Sequence, residues 1–367
     1  MFLPRIFYTG IIALFISADS HATDIGMPAT DLSADSLLPV GTRSLYKEDV
    51  APDLLEAVEE YDRTRDDRRG LAQLLKIMKI KRLIPDSRRG YRLFSSLARF
   101  SARLKLYPLA MKFYSKAGEY GRNEQLSWHL RSVFIDPAVA ATDSGEGDPL
   151  IDSITYTWLL HMDSVMSCSM GVATISEPVQ VKGLRESFGD GKTAVSYALI
   201  VHAKQPVPGK RKAFAHINNV GHLFITLIKY NDDNTFTYRS FGFYPHKRNC
   251  FSATSLHARS PSVFKDDALH DWDESVGKFI SFQRFQKILD LLAKYDRIKY
   301  NLNTNNCTDF GLSVAALGGI SISDTRGSWP LGKGNNPANA GQSILERKFR
   351  NMDADDRDPL FVSNNVR

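Results

Sequence analysis

The sequence predicts an α+β protein in which an α-helical domain precedes a domain built from an antiparallel sheet packed on helices. In the first half of the chain apolar residues recur at helical spacing, whereas in the second half they follow the period of two that is typical of strands. A polar, glycine-containing break at 141–149 separates the two patterns. At 367 residues, 43% of them apolar, the chain is long enough for two domains with separate cores.

The first 22 residues have the composition of a secretory signal peptide. Arg5 supplies a positive charge, residues 11–16 form a short apolar run, and Ser20 and Ala22 are the small residues of a cleavage site. The apolar run is short for a spanning helix, which needs about 20 residues, although an uncleaved membrane anchor is the alternative. We therefore expect an exported protein, periplasmic or secreted, with no integral membrane segment after removal of the signal.

The segment 23–44 is rich in Ser, Asp, Thr, Pro and Gly and is predicted to be a linker to an α-helical domain over 45–140. The clearest helical pair lies between 90 and 120, where Phe94, Leu97 and Ala98 share one face and Ala110 and Ala117 share another. This spacing resembles one tetratricopeptide-type hairpin, but only one unit matches, so an irregular helical bundle is the alternative. We expect this domain to serve targeting, substrate reach or protein interaction rather than chemistry.

The second domain, over 149–340, is predicted from strands at 195–201, 221–230 and 235–243, the last two forming a hairpin. With a simple four-residue turn the hairpin sets His222 opposite Phe243.

Two helices follow these strands. Ser281 is expected to cap the first, over 281–295, and the second is expected to run from Cys307 to the pair of glycines at 318–319. Residues 341–367 are predicted to be a polar tail, disordered from about residue 350.

Cys307 is the candidate nucleophile, since a helix N-terminus and a nearby imidazolium both favour the reactive thiolate. Its polar neighbours, among them Asn306 and Asp309, are unlike the apolar surroundings of inert cysteines. Asp309 is expected to cap the helix rather than face the sulfur. His222, on an apolar strand, is the candidate general base, with His216 and His246 as rivals. The alternatives are a buried structural thiol and a core histidine.

The histidine precedes the cysteine, and four segments carry a family resemblance: 221–222, 240–245, the helix near 281–295, and 306–310. In this order and in these segments the chain resembles the circularly permuted NlpC-type papain-like thiol hydrolase superfamily, which includes a lecithin:retinol acyltransferase-like branch. The resemblance covers roughly residues 195–320. It implies a permuted papain-like domain in which Cys307 attacks an acyl carbonyl to form a thioester, and His222 moves the proton.

The resemblance also implies a third polar residue, on the strand after the histidine, that orients the imidazole. Tyr238, Ser240 and Tyr244 are available there, and Ser240 is our first choice; a dyad assisted by a backbone carbonyl is the alternative. A bulge or another turn register is needed to bring Ser240 or Tyr244 beside His222.

The oxyanion needs hydrogen-bond donors near the nucleophile. The backbone N–H of Cys307 is one candidate, and Tyr300 or Asn301 could supply a second from the preceding loop, with Asn306 in support.

The chain has three cysteines, and an odd count leaves one thiol unpaired in an oxidising compartment. The economical assignment is a Cys168–Cys250 disulfide with Cys307 free, although both partners could be buried thiols. No cysteine or histidine spacing indicates a metal site, and no cofactor is expected.

Loss of the signal segment removes Arg5 and Asp19 and leaves a net charge of +6. This charge suits anionic surroundings such as cell-wall polymers or lipid headgroups, or simply favours solubility. No basic stripe with interleaved aromatic residues appears, so nucleic acid is not a predicted partner.

We therefore expect an exported cysteine hydrolase that cleaves an amide bond, with cell-wall peptide as its substrate class. The alternatives are a lipid acyltransferase or deacylase that uses the same site, and a non-catalytic module that binds a protein partner through the helical domain.

Overall fold

The structure is a computed structural model, and it describes residues 87–120, 176–214, 220–246, 253–254, 257–329, 331–353 and 360–365. Several sequence predictions fall on other residues and stay predictions. They concern the signal segment 1–22, the linker 23–44, most of the helical domain, the boundary at 141–149, and the residues Cys168, Cys250 and His216.

The predicted α+β class is confirmed, since the described residues form helices and a large antiparallel sheet. The helices are α1 (Ser87–Arg103), α2 (Tyr107–Tyr120), α3 (Val181–Glu186), α4 (Phe282–Tyr295), α5 (Cys307–Leu317) and α6 (Pro337–Leu345). The strands are β1 (Pro178–Val179), β2 (Ala194–Lys204), β3 (His222–Asn231), β4 (Phe236–Pro245), β5 (Arg259–Ser260), β6 (Ser262–Asp266), β7 (Glu274–Ile280), β8 (Tyr300–Asn301), β9 (Ile320–Ile322), β10 (Arg326–Trp329), β11 (Gly332–Asn335), β12 (Phe349–Asn351) and β13 (Phe361–Asn364).

Seven strands form one antiparallel sheet in the order β1-β6-β4-β3-β2-β7-β13. The three strands predicted in the second domain correspond to β2, β3 and β4 at its centre. The pairs β10–β11, β9–β12 and β5–β8 form separate two-stranded ladders. The central strands are buried because helices pack on both sides of them.

Strand β3 has all ten of its residues buried, so both of its faces pack on other elements. Leu223, Ile225 and Leu227 point to one face and join the main hydrophobic core, to which α4, α5 and α6 contribute. The opposite face carries His222 and Phe224, since successive side chains of a strand alternate. The position of His222 at the very start of β3 lets its imidazole reach the end of the sheet where α5 begins.

The helical pair α1–α2 covers the second face of the sheet. The rings of Tyr107 in α2 and His202 in β2 lie 4.6 Å apart. The hydroxyl of Tyr230 in β3 donates a hydrogen bond to the backbone carbonyl of Pro108 over 2.8 Å. The predicted helical residues Phe94 and Leu97 are buried between the helices. The helical pair is therefore packed directly on the strands that carry the candidate site.

The register of the β3–β4 hairpin differs by one residue from the simple four-residue turn that the sequence suggested. Tyr230 pairs with Phe236, so five residues, 231–235, connect the strands, with Asn234 in the left-handed region at φ 62°. One residue of slip exchanges the two faces of a strand. It brings Tyr244, not Phe243, beside His222, with ring centroids 4.1 Å apart.

The predicted capping roles of Ser281 and Asp309 are confirmed, and the structure adds Asn306, which was not predicted as a cap. The Ser281 side chain accepts the N–H of Arg284 at the start of α4, and Asn306 caps α5 in a reciprocal arrangement with Asp309. Helix α5 ends at Leu317, with Gly318 as its C-cap, and Gly319 follows with a positive φ of 83°.

The predicted disorder of the tail is wrong for β12 and β13. Strand β12 pairs with β9, and β13 pairs with β7 at the edge of the large sheet. These short segments gain their order from backbone hydrogen bonds to strands already in place, which the local composition does not reveal.

No helix in the described part of the chain combines the length and apolar character needed to cross a bilayer.

Candidate active site

Cys307 is the first residue of α5, and the preceding loop fixes its position. The Asn306 side-chain oxygen accepts the N–H groups of Thr308 and Asp309, over 2.7 and 3.1 Å. Its amide nitrogen donates to the carbonyls of Leu302 and Asn335, each over 2.8 Å. With its bonding capacity used in this way, Asn306 holds the loop rather than serving the oxyanion.

His222 is the partner of the thiol. Its imidazole interacts with Cys307 through a side-chain hydrogen bond and through charge, and both residues are buried. The residue before it, Gly221, has a positive φ of 70°, and a side chain there would collide with the backbone carbonyl of Lys204. A glycine is therefore needed for the turn that delivers His222 to the head of β3.

Asp267, directly after β6, completes a line of three side chains. Its Oδ2 lies 3.1 Å from His222 Nε2. Since Nε2 is engaged in this way, Nδ1 is the ring nitrogen left to face the thiol. The carboxylate is fully buried, and its Oδ1 accepts hydrogen bonds from the hydroxyls of Tyr244, over 2.7 Å, and Ser176, over 2.8 Å. Its own N–H donates to the backbone carbonyl of Ser240, which ties the loop to β4.

The surroundings favour a thiolate–imidazolium pair. Burial alone lowers the pKa of His222, but the charge of Asp267, its hydrogen bond and the interaction with Cys307 outweigh burial and raise the pKa to about 9. Burial likewise raises the pKa of Cys307, but the hydrogen bond and charge of His222 and a backbone hydrogen bond from Leu223 bring it below the ordinary value. For Asp267 the penalty of burial is overcome by His222, which keeps the carboxyl pKa low.

Gly242 in β4 makes room for the pair. A Cβ atom built at this position would overlap His222 Nε2 and Asp267 Oδ2. The imidazole and the carboxylate thus meet directly above a residue with no side chain, and any larger residue there displaces one of them.

Ser240, the predicted orienting residue, lies elsewhere on the same face of the sheet. Its hydroxyl is 2.7 Å from the Thr226 hydroxyl, which is 2.9 Å from His202 Nε2. His202 Nδ1 is in turn 2.7 Å from the Ser275 hydroxyl. This buried network satisfies polar groups beneath α2, and the position beside His222 belongs to Asp267 instead.

Sequence reasoning missed Asp267 because its strand, β6, was not predicted and because four aspartates occur at 266, 267, 271 and 273. The strand pairing that selects it, Phe243 of β4 with Phe264 of β6, joins segments about 20 residues apart. An aspartate directly after a short apolar strand was the available signal.

Of the predicted oxyanion side chains, the structure brings only Tyr300 to the candidate nucleophile Cys307. The buried phenol interacts with both the thiol and the backbone N–H of Cys307, and burial, followed by the charge of Cys307, raises its pKa well above the usual value. Asn301 instead accepts the N–H of Asn303 with its side chain, over 2.9 Å, and shapes the loop. A phenol that stays protonated is a suitable donor to a developing oxyanion.

Of the two rival bases, His216 lies outside the described residues. His246 is exposed, beyond the end of β4. His270, on the loop that carries Asp267, lies with its ring 5.2 Å from the ring of His222, and burial, followed by the charge of His222, lowers its pKa.

A groove of about 530 Å³ borders the loop that leads into Cys307. It is lined by Asn303, Thr304, Arg326, Ser328, Gly332 and Lys333. Within the described residues, no group of three or more His, Cys, Asp or Glu side chains is arranged to hold a metal ion.

The described geometry thus unites a thiol, an imidazole, a carboxylate and a phenol from four separate segments of the chain. Comparisons of the chain with protein-family models, with curated proteins and with solved structures found no match.

Proposed function

We propose that this protein is a thiol hydrolase with a permuted papain-like domain, in which Cys307 is the nucleophile, His222 the general base and acid, and Asp267 the residue that orients the imidazole. The observation that carries the proposal is the buried line of Cys307, His222 and Asp267, in which the imidazole sits between thiol and carboxylate. Covalent catalysis at an acyl carbon requires a nucleophile, a base and an orienting group in this spatial order.

The proposed reaction has two halves. The thiolate of Cys307 attacks the carbonyl carbon of an amide, and the oxyanion is held by the Cys307 N–H and the Tyr300 hydroxyl. Collapse of the intermediate breaks the C–N bond, and the His222 imidazolium gives its proton to the departing amine. Water then attacks the thioester while His222 takes up a proton, and the acid leaves as the thiol is restored.

The proposed substrate class is the amide bond of cell-wall peptide. This class is favoured by the predicted signal segment, the net charge of +6 and the resemblance to NlpC-type enzymes. Acyl transfer or deacylation of a lipid uses the same thioester chemistry. The substrate experiment below must therefore distinguish a lipid substrate from a peptide amide.

The first prediction concerns pH. Iodoacetamide is expected to alkylate Cys307 at pH values where an ordinary thiol, with a pKa of about 8.5, is protonated, because the Cys307 pKa is lowered. Alkylation by the anion iodoacetate is expected to fall as the pH rises through about 9, because the His222 imidazolium that attracts it then loses its proton. Mass spectrometry of the labelled peptide against pH measures both rates.

His222→Ala is the matched variant. Without the imidazolium, burial is left to raise the thiol pKa, so the iodoacetamide profile should move to higher pH and the alkaline fall with iodoacetate should disappear. An unchanged profile in this variant contradicts the proposed pair.

The second prediction concerns the substrate. The mature protein, incubated with purified peptidoglycan and separately with phospholipid vesicles, is expected to release new amino and carboxyl termini from the peptidoglycan alone. Mass spectrometry of the products identifies the bond, and protein alkylated beforehand at Cys307 is the control. Release of fatty acid or transfer of an acyl chain from the vesicles would replace the amidase assignment by a lipid one, and no product from either would leave the binding-module alternative.

A further inference from the structure

We propose that Lys105, in the connection between α1 and α2, is a positioning residue that holds the loop carrying Asp267 in place and thereby acts on His222. The inference rests on the proposed function and assigns the helical segment a part in the chemistry, in contrast to the targeting role that the sequence suggested.

The contacts of Lys105 lie on the loop that joins β6 to β7. Its ammonium donates a hydrogen bond to the backbone carbonyl of Leu269 and forms an ion pair of 3.2 Å with Asp271. The loop is only seven residues long, 267–273, and begins with the carboxylate that bonds His222. A lysine is usually well exposed, yet this side chain is only 17% exposed, as expected for a residue held against its partner.

The backbone of Lys105 gives an independent reason to assign its side chain a role. The residue has a φ of 61°, in the left-handed region that normally favours glycine at the end of a helix. The N–H groups of Lys105 and Leu106 donate to the carbonyls of Ala102 and Ser101, which closes α1 in the usual way. Glycine would satisfy this turn without strain, so the turn itself does not require a lysine.

The connection is itself fixed to the sheet, so it can act as a support. Tyr107 lies against His202, and Pro108 accepts the hydrogen bond from Tyr230. On the far side of the loop, Asp273 pairs with Lys204 over 2.7 Å. The sheet thus holds both ends of the loop, through Asp267 and Asp273, and Lys105 holds its middle.

Several titratable groups face His222, and their signs decide the test. Asp267 and His270 come from the loop, Tyr244 from β4 and Cys307 from α5. Lys204, on β2, is paired with His222 in the sheet. Asp267 raises the His222 pKa, so loosening it lowers that pKa. Loss of the positive charge of Lys105 would by itself raise the His222 pKa, because a nearby cation disfavours protonation of the imidazole.

The test is a titration of the His222 imidazole by NMR in the full-length protein labelled at histidine. The signal is assigned from a His222→Gln sample. We expect the His222 pKa to fall by about half a unit or more in Lys105→Met and in Lys105→Gly, and to be restored in Lys105→Arg. Lys105→Gly also removes the left-handed strain, so its thermal stability should be at least that of Lys105→Met although its His222 pKa is lowered. Lys287→Met, at an exposed site on α4, is the control and should leave the pKa unchanged.

Asp267→Asn provides the second arm. If Lys105 acts through Asp267, adding Lys105→Met to Asp267→Asn should cause no further change in the His222 pKa. A His222 pKa that is unmoved or raised by Lys105→Met, or an equal fall in the Asp267→Asn background, overturns the proposal. Because the readout is a titration, these outcomes differ from failure of the proposed function, which would show as an ordinary Cys307 thiol in the unmodified protein.

Discussion

Replacement of Cys307 by serine is expected to abolish turnover while leaving the fold intact. The side chain is buried at the head of α5 and differs from serine by one atom, so the cap made by Asn306 and Asp309 should persist. A serine hydroxyl is not ionised by the neighbouring imidazole as a thiol is, and a loss of about 10³-fold or more in kcat/KM follows. The measurement is product release from peptidoglycan, with circular dichroism to confirm the fold.

Thr308→Ser is the matched control at the neighbouring position, since it keeps a hydroxyl in the first turn and removes only a methyl group. It should retain turnover within a few fold. The hydrolase proposal would be contradicted if Cys307→Ser kept the full biological effect of the protein while removal of the helical segment abolished that effect. That result would favour the binding module.

Replacement of Asp267 by asparagine is the second large effect that we expect. The amide lacks the charge that raises the His222 pKa to about 9, so burial is left to lower it, and the imidazole becomes neutral near neutral pH. Loss of the corresponding carboxylate in serine proteases costs about 10⁴-fold in kcat, and we expect about 10²- to 10⁴-fold here. Turnover of peptidoglycan and the rate of iodoacetamide labelling at pH 6 measure the change.

Ser240→Ala tests the alternative that the sequence favoured. Both positions are buried and polar, but the Ser240 hydroxyl bonds Thr226 and not His222. This variant should therefore lose stability with little change in labelling. A loss of reactivity in Ser240→Ala equal to that in Asp267→Asn would show that the imidazole is oriented through the Ser240 network instead.

The parts of the fold that the sequence predicted are those set by local rules. Period-two alternation predicted the central strands β2–β4, and the cap residues Ser281 and Asp309 with the glycines at 318–319 predicted the bounds of α4 and α5. The candidate thiol and base followed from the same local patterns, because a helix start and a strand can each be recognised within about ten residues.

The parts that could not be predicted depend on pairing between distant segments. The one-residue slip that brings Tyr244 to His222 depends on a five-residue connection whose conformation includes a left-handed Asn234. Asp267 is selected from four nearby aspartates only by the pairing of β6 with β4. Strand β13 is too short to be recognised alone and exists because β7 offers it an unpaired edge.

The complete burial of β3 also bears on which part of the protein unfolds first on heating and which part unfolds last. Amide hydrogens in a central strand covered on both faces exchange with solvent only when the whole unit unfolds. Asp267, by contrast, begins a short loop in which Leu269 is 41% exposed, and a few backbone and side-chain hydrogen bonds together with the buried Trp272 hold this loop to the sheet. Local opening of that loop separates the carboxylate from an imidazole that stays fixed on the most persistent strand. On heating, we therefore expect the alkylation rate of Cys307 to fall to that of an ordinary thiol before the sheet melts.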